Sequence, residues 1–113
     1  MNTQPIDQTR LRVFPLSQRH SLTRADDILL DPDAPPPRLP GPLADAVARC
    51  AADVRSARSR NAGVMLIYGA HLLRNGAATI LGPMMEQGWL THLATNGAGT
   101  IHDWEYAWLG RST

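Results

Sequence analysis

The run GVMLIYG, residues 63–69, constrains the fold more than any other feature of this 113-residue chain. Its apolar stretch, Val64 to Tyr68, is too short for a helix, contains β-branched and aromatic side chains, and has glycine on both sides. Such a run predicts a strand buried on both faces, the kind that parallel sheets use. WLTHLA, residues 89–94, is a second strand candidate. Between the two lie GAHLLRNG and AATILGPMMEQG, with apolar residues at 72, 73, 80, 81, 84 and 85. That spacing predicts helix, while Gly76, Gly82 and Pro83 predict two pieces or one bent one.

Helices are expected on either side of this pair. In PLADAVARCAADVRSARSR the residues Leu43, Val47, Cys50, Val54 and Ala57 recur at spacings of three and four, and Pro42 suits a first helical position. Arg49, Arg55, Arg58 and Arg60 fall mostly away from that stripe and are expected in solvent. After WLTHLA, the turn TNGAG leads into a helix from about Thr100, where Thr100 and Asp103 resemble a capping box. Strands alternating with helices imply parallel strands joined by right-handed crossovers, an α/β layer architecture. A parallel sheet needs cover on both faces and seldom has two strands. Residues 43–113 are therefore expected to be the first βα units of a longer doubly wound domain, or to share their sheet with a partner chain. Residues 1–42 hold all but one of the nine prolines, including DPDAPPPRLPGP, and read as an arm or linker. Within it RLRVFPLS could lay Val13, Phe14 and Leu16 on another surface.

Composition narrows the function classes. Basic and acidic residues number 11 and 10, so no nucleic-acid partner is expected. Every basic residue is arginine, and without lysine the chain itself cannot form an imine through a side-chain amine. Cys50 is the single cysteine, and no stretch is long and apolar enough for a membrane span or an export signal. A cytoplasmic protein is expected.

Chemistry is concentrated in the loops after the strands, where open α/β sheets bind ligands. YGAHLLRNG and TNGAGTIHD would lie at one rim, with small residues for close approach and helix N-termini for a phosphate or carboxylate. Neither is a dinucleotide fingerprint or a P-loop. His102, Asp103 and Glu105 follow directly; Asp103 reads equally as a helix cap, and His71, His102 and Glu105 are a conceivable metal set. His92 reads as a sheet-face residue, and Trp104, Tyr106 and Trp108 as packing surface.

Together the two loops resemble the deoxyhypusine synthase family, in its bacterial and archaeal deoxyhypusine-synthase-like branch. The similar part is GAHLLRNGAATILGPMMEQGWLTHLATNGAGTIHDWEYAWLG, residues 69–110, and RLRVFPLSQRHSLTRADD, residues 10–27, resembles that branch's N-terminal arm. The resemblance implies a Rossmann-like parallel sheet with flanking helices, binding NAD and transferring an aminoalkyl group between polyamine or lysine-type amines. A turn that touches the cofactor falls on Ala70, His71, Leu72, Leu73 and Arg74, and a glycine turn on Asn96, Gly97, Ala98 and Gly99. Asp103 keeps an acidic place, whereas two family glutamates fall on Ile101 and His102. His102 and Asp103 are the implied catalytic pair, His102 also touching the cofactor, with Ile101, His102 and Glu105 toward the substrate. The departure weakens a cationic polyamine site, since charge pairing is lost. The family's catalytic lysine belongs to a distal segment, and its members assemble as tetramers, so a homo-oligomer is implied. The alternative is a non-catalytic nucleotide-binding or scaffolding module of the same fold.

Overall fold

A computed structural model describes residues 6–113, so the first five residues of the expected arm lie outside the described residues. Its elements are β1 (Thr23–Arg24), α1 (Ala25–Ile28), α2 (Gly41–Ser59), β2 (Met65–Tyr68), α3 (Ala70–Arg74), α4 (Ala78–Glu86), β3 (His92–Thr95), α5 (Gly97–Leu109) and β4 (Arg111–Ser112). The chain is thus mixed α/β, as its alternating pattern predicts. β2 and β3 pair in parallel, with Met65, Leu66, Ile67 and Tyr68 opposite His92, Leu93, Ala94 and Thr95. β1 and β4 form a separate antiparallel ribbon.

The parallel register is set at its start by one side chain. Thr91 Oγ1 donates to the Val64 carbonyl at 2.9 Å and accepts from the Val64 amide at 2.8 Å. At the other end Thr95 Oγ1 donates to the Tyr68 carbonyl at 2.8 Å. The core lies on one face of this pair: Leu73, Leu81 and Leu90 are buried, with Val64, Leu66, Tyr68, Leu72 and Met84 packed against them. The other face is open, with Met65 57% and Ile67 76% exposed. The expectation of a strand buried on both faces is therefore corrected: α3 and α4, the helices of the crossover, cover only the Leu66 and Tyr68 side. An apolar run cannot say whether a second layer is present to bury it.

The helices depart from expectation at their ends and faces. α2 has its proline in the first turn, yet Leu43 and Val47 are half exposed and Cys50 is exposed. Only Val54 and Ala57 on its stripe are partly covered, so its first half projects. That projection helps raise the radius of gyration to 19.0 Å, against about 13 Å for a compact domain of 100 residues. Arg58 is not free in solvent: its Nε donates to the Gly88 carbonyl and its Nη1 to the Ala62 carbonyl, both at 2.6 Å. It ties the end of α2 to the turn before β3.

The region between the strands forms two pieces, separated at Gly76, whose φ is +80°. Gly82 and Pro83 do not break α4. α5 begins at Gly97, not at Thr100, because Asn96 caps it by accepting from the Gly99 amide at 3.0 Å. Thr100 Oγ1 instead donates backwards to the Gly97 carbonyl at 3.0 Å.

Gly99 is buried where α5 meets β3. A Cβ there would stand 3.1 Å from Thr95 Cβ and collide with the Thr95 hydroxyl. Gly99→Ala is expected to lower stability by about 2 kcal/mol through overpacking, measured by urea denaturation. Adding Thr95→Ala should recover part of that loss by vacating the space.

Candidate functional site

Two separate polar groups lie along α5, one at its N-terminal end and one about its middle. The first is the rim at the carboxyl ends of the parallel strands. Because Tyr68 pairs with Thr95, the following Gly69 and Asn96 open on the same edge. The shallow cleft there is lined by Ile67, Tyr68, Gly69, Ala94, Thr95 and Asn96. Asn96 satisfies one of the first amides of α5, and the others at a helix start have no intrahelical acceptor. With the positive end of the helix dipole they suit an anionic group.

Among the residues expected at the cofactor turn, Ala70 is half-buried at the start of α3, and His71 and Arg74 are exposed beyond it. Leu72 and Leu73 serve the core instead, with Leu73 only 4% exposed. A buried leucine side chain offers no surface to a cofactor. Gly97 and Ala98 are exposed in the first turn of α5, beside the cleft.

The second group holds the remaining expected residues. His102, Glu105 and Tyr106 share one side of α5, as i, i+3 and i+4 positions must. Glu105 is buried and accepts from two donors: Arg19, in the N-terminal arm, and Ser112 Oγ, in β4, at 2.5 Å. Ser112 is fully buried and also lies 2.6 Å from His102 Nδ1. A carboxylate only accepts, so the single hydroxyl proton of Ser112 points at Glu105 and the serine oxygen accepts from His102 Nδ1–H. The order is therefore His102 to Ser112 to Glu105 to Arg19. A fully buried serine that gives its proton to a carboxylate is held as a strut, not poised as a nucleophile.

Burial pushes the Glu105 carboxyl upward, but the bonds from Ser112 and Arg19 and the charges of Arg19 and His102 outweigh it, and its pKa ends below the usual value. His102 stacks on Tyr106 with ring centres 6.4 Å apart. Nδ1 of His102 and the carboxylate of Glu105 are thus engaged with β4 and the arm. Asp103 is exposed, at the edge of an apolar pocket that Ala25, Leu29, Ala78 and Tyr106 also line. Ile101 is 59% exposed and precedes Trp104 and Trp108, 52% and 73% exposed, along the outer side of α5. The two tryptophans stack on each other, not on the sheet. His92 is on the open sheet face, against Thr91 Oγ1. Among the described residues no three His, Cys, Asp or Glu side chains are grouped closely enough to hold a metal ion, so His71, His102 and Glu105 do not converge.

Arg19 and Ser112 are the members that residue patterns did not reveal. Arg19 lies 86 residues from Glu105, and Ser112 is a lone serine beyond the helix end. Neither stands at a motif spacing. Comparison with protein-family models, with curated proteins and with solved structures finds no match to this chain. Among the described residues no helix is long and apolar enough to cross a membrane.

Proposed function

We propose that the chain supplies the first βα units of a deoxyhypusine-synthase-like, NAD-dependent aminoalkyl transferase, acting on a polyamine or lysine-type amine. The observation that carries this reading is the parallel register, which brings the Gly69 and Asn96 turns to one edge with α5 starting there. The resemblance of residues 69–110 supplies the reaction class. NAD fits the rim in its donor set: the free amides of the first turn of α5, at Gly97 and Ala98, would hold its phosphates, with Asn96 fixing that turn. When bound, NAD would supply the acceptor for a hydride removed from the amine carbon.

The polyamine end is less well provided. Ile101 is apolar, Glu105 is committed to Arg19 and Ser112, and Asp103 is the acid left to meet a cation. Of the two, a lysine-type amine suits this provision better than a polyamine. Without a lysine these residues bind and orient but do not form the imine. Assembly as a homotetramer belongs to the same proposal, and sedimentation velocity tests it.

Calorimetric titration with NAD is the experiment. Binding is expected, and Asn96→Ala should weaken it by about fivefold through loss of the cap. The second reading, a scaffold that keeps the fold without the chemistry, is favoured by the internal engagement of His102 and Glu105. A folded chain that takes up no NAD would establish that reading against the first.

A further inference from the structure

The segment from Ser17 to Leu30 crosses the body of the protein and is fastened at two places. At the first, Arg19 reaches Glu105, the Leu22 amide donates to the Ser112 carbonyl at 3.0 Å, and the Ala25 amide donates to the Gly110 carbonyl at 2.8 Å. β1 pairs with β4 here, Thr23 opposite Ser112. At the second, the Leu30 amide donates to the Gly76 carbonyl at 3.1 Å, and Thr79 Oγ1 donates to the Leu30 carbonyl at 2.6 Å. Between the fastenings, Ala25 and Leu29 form one wall of the apolar pocket whose other wall is Ala78, Thr79, Asp103 and Tyr106.

We propose that residues 17–30 are a strap that opens as a single unit, with the Glu105 cluster as its latch, and that opening uncovers the apolar cleft between α4 and α5. The physical reason is the shortness of what joins the fastenings. β1 has two residues and α1 has four, too few to hold structure once detached from their neighbours. Releasing Arg19 therefore removes the support for β1 and α1, and the Leu30 contact, left alone, does not compensate for ordering the whole segment. The buried hydroxyl of Ser112 transmits the state of Glu105 to β4, the strand that β1 needs. The polar groups at Glu105 are Arg19 from the strap, Ser112 from β4 and His102 from α5; His71 and Arg74 of the adjacent α3 are exposed. The hydrogen bonds that Thr91 and His92 make to Val64 in the parallel pair involve none of these groups, so they stay closed when the strap opens.

Native-state hydrogen exchange of the full chain tests the unit. In the unaltered protein the amides of Leu22, Ala25 and Leu30 are expected to exchange with one common opening constant. Glu105→Gln, which keeps the shape and removes the charge, should raise all three by about tenfold or more, given the usual worth of a charge-assisted bond. In the unaltered protein the Thr91 and His92 amides, which donate to Val64, should have a smaller opening constant than these three, because they open only when the whole fold does. Ser112→Ala is the second variant and should give the same pattern more weakly. If Leu22 and Ala25 accelerate while Leu30 is unchanged, the fastenings are independent and the single strap is refuted. If Thr91 and His92 share the opening constant of Leu22, Ala25 and Leu30 in the unaltered protein, the opening is global unfolding and the strap is refuted as well.

Discussion

Replacing Gly76 with alanine is expected to cost about 3 kcal/mol of stability, seen as a large fall in the urea midpoint. Two effects add. At φ +80° a side chain is held in the left-handed region, which costs an ordinary residue about 1–2 kcal/mol. In addition the new Cβ would stand 2.7 Å from the Ile28 carbonyl carbon and collide with its oxygen. That atom is backbone, so no side chain can swing aside; either α1 moves or the turn between α3 and α4 does. Moving α1 breaks the Leu30 to Gly76 hydrogen bond, worth about 1 kcal/mol. Gly88, also at positive φ but with open space at its Cβ position, is the control: its alanine variant should show the strain alone.

Glu105 carries the second large effect. Glu105→Ala at neutral pH is expected to destabilise the protein by about 2–3 kcal/mol, at or below the usual cost of breaking a buried ion pair because Arg19 keeps a quarter of its side chain in water. The pH dependence has a definite sign. The folded-state pKa of Glu105 lies below its ordinary value of 4.5, so its contribution is complete above 4.5 and is lost as the pH falls through the lower folded value. Stability measured by urea titration should therefore decline below pH 4.5 more steeply in the unaltered protein than in Glu105→Gln. The two curves should approach each other in acid. Parallel curves would mean that the carboxylate is not what Arg19 and Ser112 hold.

These effects show where the sequence was legible. Periodicity located α2, the break at Gly76 and both parallel strands, because a short apolar run between glycines and a three-and-four spacing are local properties of the chain. The rim was legible for a related reason: two turns after two parallel strands must meet at one edge once the register is set. The faces were not. Met65 and Ile67 have the same apolar character as Leu66, and only the placement of α3 and α4 decides which of them is covered. The cap of α5 was misplaced by one turn because Asn96 and Thr100 are both competent caps, and the end of β3 at Thr95 decides between them.

The polar cluster shows the limit most clearly. The sequence by itself determined that His102 and Glu105 share a side of one helix, since their spacing and the helical repeat require it. Their partners Arg19 and Ser112 were decided only by the tertiary structure, when the arm and the last strand paired across α5. A buried carboxylate needs donors wherever the fold can bring them, and that need is fixed by desolvation, not by distance along the chain.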